Sequence, residues 1–324
     1  MPHVTFIHGI ANKPDPDRLL TIWEQALAKE DGINLGANGV SCSMVYWADV
    51  MYESPSEPGS AHESTGAEVE TVNADEDLAW VQELEGAESD FCNSLTRKLN
   101  FDAESPEDDE YQPEEGDGEI PYQQEVGDGE VQTEFERIPL PWFIKRRLMK
   151  VLLRDVHHYL FNTKHSPRPG ETYRVQDEIR RRFIETLTED AANNSGGPHI
   201  VVSHSMGTVI SYDCLKRVAE CPKVDGYLTI GCPLGIDEVQ DKLQPEWSRN
   251  NGYPSERMLG DWYNVFDRLD PVAFDTKLAN DFKLDGTKKV EDKRVHNEGV
   301  WRHDISKYLA RSRLRDALKS VLEL

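Results

Sequence analysis

The sequence predicts a doubly wound, mostly parallel α/β sheet interrupted by one long acidic insertion. Three observations carry this expectation. Short apolar, β-branched runs alternate with longer stretches of helical periodicity, the order that builds βαβ units. One of those runs, Ile200 to Val202, passes through Ser203-His204-Ser205-Met206-Gly207 directly into an apolar helix start at Thr208. The charge is also segregated. Glu53 to Glu136 holds 27 acidic residues against Arg97 and Lys98, a net of −25, whereas the whole 324-residue chain carries −24. The remainder is within one charge of neutral, so the acidity belongs to the insertion and not to the sheet. One α/β domain over residues 1–324, interrupted at 53–136, is the expected organisation.

Val4 to Ile7 reads as a short buried strand, followed by His8-Gly9-Ile10. Arg18 to Lys29 is a helix, with Leu19, Leu20, Trp23 and Leu27 at helical spacing. Val40 to Trp47 is the next strand, completing the strand–helix–strand order of a parallel sheet. The acidic segment follows, with Gly116-Asp-Gly-Glu repeated as Gly127-Asp-Gly-Glu130. Ala103 to Glu136 has too little apolar surface to offset the entropy of ordering and is expected to be mobile. Leu78, Val81, Leu84, Phe91, Leu95 and Leu99 predict a helix within the same segment.

Pro139-Leu-Pro141 punctuates the return to order. Trp142 to Phe161 is then an amphipathic helix, apolar through Ile144, Leu148, Val151, Leu152, Val156, Tyr159 and Leu160 and basic through Lys145, Arg146, Arg147, Lys150 and Arg154. Such a helix packs on a core, covers a site as a cap, or lies on an anionic membrane as a peripheral contact. Its basic face also suits the acidic insertion. Val175, Ile179, Phe183 and Leu187 mark the helix leading into the run at 200–202, and the helix after the turn continues to Ala219. Gly226 to Gly231 and Trp262 to Phe266 read as buried strands, and Lys293 to His296 as the last. A helix carrying Leu309, Leu314, Leu318 and Val321 ends the chain.

The turn at Ser205 matches the nucleophile elbow, G-x-S-x-G, with Ser203 in place of the first glycine. Small residues two before and two after the serine are needed because strand and helix pass close to a strained backbone. The serine Oγ then stands above the sheet. The Met206 N–H, at the helix start, faces any oxyanion that forms. With an apolar strand before it and a helix after it, the elbow resembles that of the α/β-hydrolase superfamily, closest to lipase and esterase branches with S/G-H-S-M/L-G. Thr229-Ile-Gly-Cys-Pro233 is similar to the T-F-G-x-P of class 3 lipases. Asp270-Pro-Val resembles the D-x-V-P that carries the acid in lipases, and His303 with Tyr308 resembles their H-x-x-x-x-Y endings. The resemblance covers most of residues 1–50 and 170–324 and leaves out the acidic segment.

The resemblance implies a serine hydrolase of carboxylic esters, lipid-like ones favoured, working through an acyl-enzyme. Ser205, Asp270 and His303 follow the superfamily's chain order of nucleophile, acid and base. The H-G-x sequence implies that the Ile10 N–H, behind Gly9, joins the Met206 N–H in the oxyanion hole. His8, Gly9, Ser203, His204 and Gly207 support it. Asp267, directly at a strand end, and His296 are the alternatives to Asp270 and His303, which the motif match favours. His3, His8 and His204 are expected near the site but do not follow the acid. The chain departs from the pattern at Ser203 and at Ala273, where a proline is usual. Neither departure removes a catalytic atom, but both leave the subfamily open. A thioesterase or amidase, or a catalytically silent binding module of the same fold, are the rival readings.

The acidic balance argues against nucleic acid as a partner. Five scattered cysteines, an odd number with no C-x-x-C pair, argue against a disulfide framework and against a zinc site. No metal and no cofactor are expected. There is no basic leader, no apolar signal core and no run long enough to span a bilayer, so a cytoplasmic protein is expected. The oligomeric state is left open.

Overall fold

Six runs pair side by side in the computed structural model, which describes residues 1–56, 79–98, 142–194, 196–273, 276–298 and 301–324. They are β1 (His3–Ile7), β2 (Ser41–Val45), β3 (His199–His204), β4 (Gly226–Ile230), β5 (Trp262–Asp267) and β6 (Val290–Val295). The sheet order is β6-β5-β4-β3-β1-β2, and every pairing is parallel. From β1 the chain steps outward to β2. It then returns to the other side of β1 and steps outward again from β3 to β6. The order reverses between β1 and β3, and at such a reversal open α/β sheets leave a crevice beyond the carboxyl ends of the strands. Ile7 lies beside Ser203, and His204 beside Ile230. The segments starting at His8, Ser205 and Gly231 therefore leave the sheet at one edge.

The principal helices are α1 (Pro16–Ala28), α2 (Gly86–Lys98), α3 (Trp142–Leu160), α4 (Val175–Asn193), α5 (Met206–Arg217) and α6 (Ser312–Leu322). They cover both faces of the sheet. Val4, Phe6, Ile200, Val202, Leu228 and Val265 pack with residues of α1 and α6. Ile7, Val45, Val201, Tyr227 and Trp262 pack on the other face with residues of α2 to α5. A strand buried on both faces needs no polar alternation, which is why these runs read as continuously apolar. Trp262 is fully buried, its Nε1–H donates to Thr229 Oγ1 at 3.0 Å, and Tyr212, Tyr227 and Phe282 surround it. Truncating such a residue to alanine costs about 3–5 kcal/mol.

The boundaries differ from expectation where local geometry intervenes. Asp15 caps α1 by accepting from the Arg18 N–H at 3.0 Å, so the helix starts at Pro16. The helix expected over 78–99 is two, Ala79–Gln82 and α2, and Gly86 opens the second in the left-handed region at φ +58°. The last sheet strand starts at Val290, three residues before the reading from sequence. The C-terminal helix divides into Ile305–Leu309 and α6.

The acidic segment is not uniformly solvated. Phe91, Cys92 and Leu95 of α2 are buried in the core, Phe91 edge-on to Phe161 at 5.4 Å. Lys98 bridges Asp237 and Glu238, each at 3.1 Å. The expectations for residues 57–78 and 99–141, including a mobile 103–136, lie outside the described residues. All five cysteines are free thiols. Among the described residues no helix is long and apolar enough to cross a membrane.

Candidate active site

Ser205 sits between β3 and α5 with φ +54° and ψ −130°. A non-glycine residue there costs on the order of 1–3 kcal/mol and persists only where its surroundings impose it. The surroundings are visible. The Ser205 N–H donates to the Ile230 carbonyl at 2.9 Å, tying the turn to the end of β4. A Cβ on Gly207 would lie 2.6 Å from the His8 carbonyl oxygen and 2.7 Å from that of Ile7. Only glycine lets the start of α5 pass so close to the end of β1. A Cβ on Gly9 would lie 2.5 Å from Ser205 Cβ and 3.0 Å from its Oγ. The His8–Ile10 segment thus lies directly against the serine. Ser203 is buried in β3, its hydroxyl donating to the Leu228 carbonyl at 3.1 Å.

The loop after β1 is held at successive groups. His8 is fully buried, and burial, then the nearby Lys13 charge, hold its pKa well below the ordinary histidine value. The neutral ring accepts the Trp47 N–H on Nε2 at 3.0 Å, so its proton is on Nδ1, facing the Gly9 carbonyl at 2.9 Å. Trp47 Nε1–H donates to the His8 carbonyl at 3.0 Å, and the two rings stack at 4.9 Å. Lys13 Nζ donates to the Ile10 carbonyl at 2.6 Å. Ala11, in the left-handed region at φ +68°, donates its N–H to Asp155 of α3 at 3.1 Å. The Ile10 N–H takes part in none of these bonds, and the Met206 N–H is one of the orphan donors of a helix N-terminus.

Asp270 and His303 meet at the same edge. His303 Nδ1–H donates to Asp270, 2.9 Å from each carboxylate oxygen. Asp270 also accepts from the Tyr308 hydroxyl at 2.6 Å and from the Val272 N–H at 2.8 Å. Tyr308 in turn accepts the Asp267 N–H at 3.0 Å. Burial alone would push the Asp270 carboxyl up, but the electrostatic attraction of the His303 ring and the bonds from His303, Tyr308 and Val272 outweigh it and hold it below the usual range. Ser205, His303 and Asp270 are 1 %, 1 % and 3 % exposed. Ser205 Oγ has no hydrogen-bond partner among the described residues.

No family model and no curated protein matches the chain.

Asp267 and His296 are bonded differently. Asp267 accepts from the Leu269 and Asn297 N–H groups at 2.9 and 2.5 Å and from Arg302 at 3.3 Å, so its carboxylate caps the loops after β5 and β6. His296 is exposed, beside Arg302 at 3.2 Å. His204 turns toward the site, its Nε2–H donating to the His303 carbonyl at 2.9 Å, with ring centroids 4.5 Å apart. His3 is the exception to the expected clustering. It opens β1 and so lies at the opposite, amino edge of the sheet.

Two positions went unassigned in the sequence. Gly231, at φ +54°, is where a Cβ would lie 2.9 Å from Asp270 Oδ2 and 3.0 Å from His303 Nδ1. The Asp270–His303 pair rests on this bare backbone. The Thr229-Ile-Gly-Cys-Pro233 motif was its only signal. Asp155, which holds Ala11, lies on the helix read as a cap. That helix buries Val151, Leu152, Val156 and Tyr159 in the core, and Arg154 bonds Asp155 and Tyr52. These residues serve packing; Ile144, Leu148 and the basic side chains 145–147 lie outside the described side chains.

Proposed function

We propose that this protein is a serine hydrolase of the α/β-hydrolase type that cleaves carboxylic esters. The observation that carries the reading is the buried, doubly bonded Asp270–His303 pair resting on Gly231, at the same sheet edge as a serine held at φ +54°. A serine hydroxyl is a weak nucleophile until a base removes its proton, and the base must be held in one tautomer. Asp270 supplies that constraint: it accepts the Nδ1 proton and leaves His303 Nε2 to act on Ser205.

In this reading Ser205 Oγ attacks the ester carbonyl and His303 takes its proton. The oxyanion meets the Ile10 and Met206 N–H groups, which the packing of Gly9 and Gly207 brings to the serine. His303 then returns the proton to the leaving alcohol, giving an acyl-Ser205 that water hydrolyses by the same steps. The Ser205–His303 hydrogen bond forms with substrate in place; catalytic bonds of this kind are often loose before binding. The lipase-like motifs favour acyl esters of lipid type over peptides.

Labelling with a fluorophosphonate probe tests the reading, because it requires an activated serine. Wild-type protein is expected to label and Ser205→Ala not to. A wild-type chain that neither labels nor turns over p-nitrophenyl esters of graded chain length would make it a silent binding module. Selective turnover of thioesters or amides would keep the triad and change the substrate class.

A further inference from the structure

The amino edge of the sheet buries a second constellation, which the proposed reaction does not use. His3 opens β1, His199 opens β3, and Asp190 lies in the last turn of α4. All three are buried, and one ligand-type atom from each lies within 4.8 Å of the others.

The proton count in this cluster leaves a positive charge to be supplied. Ser41 Oγ donates to Asn194 Oδ1 at 2.7 Å, so it accepts from His3 Nδ1, also at 2.7 Å. His3 therefore turns Nε2 inward, 3.0 Å from Asp190 Oδ2 and 3.1 Å from Ser43 Oγ. Both of these are acceptors. Ser43 and Thr5 direct their own protons to Asp190 Oδ2, at 2.5 and 2.6 Å. A nitrogen facing two acceptors beside a buried carboxylate needs a cation between them, either a proton or a metal ion.

The third side chain favours the metal. His199 Nε2 points into the same space, 2.8 Å from Thr5 Oγ1. A bridging proton would join His3 to Asp190 and leave His199 donating only to the Thr5 hydroxyl. A metal ion would join all three. The rest of the cluster already has the arrangement that supports metal ligands: His3 donates its far N–H to Ser41, and the carboxylate accepts two hydroxyls. Zinc bonds of about 2.0–2.2 Å place tetrahedral ligand atoms roughly 3.4 Å apart, so His3 and Asp190, at 3.0 Å, would open slightly around the ion, and His199, within 4.8 Å of both, completes the set by a small shift.

We propose that His3 Nε2, Asp190 Oδ2 and His199 Nε2 form a structural site for a divalent cation of the zinc class, with the Thr5 hydroxyl or a water as fourth ligand. Imidazole with carboxylate suits zinc rather than calcium or magnesium. The site clamps the amino ends of β1 and β3 to α4, at the edge away from Ser205. It is independent of the hydrolase reading.

The test uses the full chain, stripped with a chelator and dialysed against zinc, with metal content measured by mass spectrometry. One zinc per chain is expected in wild type and in Ser205→Ala, with a raised thermal midpoint. His199→Gln and Asp190→Asn are expected to bind at least ~10-fold more weakly, as loss of even an outer partner of a metal ligand costs that much. Cobalt loaded into wild type is expected to show the visible bands of a tetrahedral nitrogen–oxygen site, a readout that needs no variant to fold. Zinc not retained by wild type, or retained equally by the variants, overturns the proposal. So does bound cobalt without tetrahedral bands. The first result would leave a proton-bridged His3–Asp190 pair.

Discussion

The two edges of this sheet carry the same side-chain chemistry and arrange it in opposite ways. Each buries a hydroxyl, an imidazole and an aspartate. At the amino edge the hydroxyls of Thr5 and Ser43 give their protons straight to Asp190. Both sit in regular strand, and Ser43 pairs in register with Thr5. At the carboxyl edge the aspartate is bonded by imidazole, phenol and backbone, while Ser205 Oγ, on a strained turn, has no partner among the described residues. A hydroxyl whose proton is committed to a carboxylate is a structural donor. One held apart at φ +54°, next to glycine backbone, carries no such commitment. The distinction lies in the backbone and in what the aspartate binds.

The largest expected effect separates the edges directly. Ser205→Ala is expected to abolish ester hydrolysis, a loss on the order of ~10⁶ where a triad serine has been removed. Thr5→Val and Ser43→Ala are expected to leave kcat within a few fold and to lower the thermal midpoint. Steady-state turnover and melting of the three purified proteins check this. Full activity in Ser205→Ala would erase the contrast.

Next come Asp270 and His303 at the carboxyl edge. Asp270→Asn is expected to lower kcat by about 10⁴, the loss seen when an amide leaves the imidazole in the wrong tautomer. Asp267→Asn, which disturbs only a loop cap, should act mainly on stability. His303→Ala should be nearly as damaging as Ser205→Ala, and His296→Ala much less so. A reversed order within either pair would reassign that role.

How much of this was legible in the sequence differs between the edges for the same reason. The carboxyl edge is built from contiguous motifs: Ser203 to Gly207, Thr229 to Pro233 and Asp270-Pro-Val each fit in a few residues, because a strand end and the turn after it are local. The parallel sheet was legible in the same way, since strands buried on both faces are short apolar runs. The amino-edge cluster was not. His3 and Asp190 are separated by most of the chain, and only the β1–β3 register brings His3 beside His199. Counting cysteines for a zinc site could not find it. The packing of α2 was hidden by the acidity of its segment. Gly231 was seen as part of a motif, but its φ and its closeness to His303 exist only once β4 and β5 are paired.

Two glycines in the left-handed region give a smaller contrast. Gly39, at φ +71°, has open space where a Cβ would go, whereas Gly231 faces Asp270 and His303. Gly39→Ala should cost only the backbone term, roughly 1–2 kcal/mol, with unchanged kcat. Gly231→Ala should cost more and also lower kcat by about 10²-fold, since shifting a reacting group by an ångström has that effect. Equal stability losses with equal activity would mean that Gly231 does not support the pair.

The smallest effect is in acid, where the edges should behave alike. Burial pushes the Asp190 carboxyl up, but bonds from His3, Ser43 and Thr5 outweigh it, and its pKa falls below the ordinary value, as that of Asp270 does. A carboxyl depressed in the folded state adds stability that is fully present above its unfolded pKa, about 3.9. That stability is lost as pH falls through the lower folded value. The destabilisation caused by Asp190→Asn or Asp270→Asn should therefore be constant from neutral pH down to about pH 5 and shrink below about pH 4. Denaturant midpoints measured across that range, for each variant against wild type, give the comparison. A difference that widens in acid would mean that the carboxyl in question is protonated in the folded protein. At the amino edge that would remove the anion on which the cation site depends, and at the carboxyl edge the acceptor that holds His303.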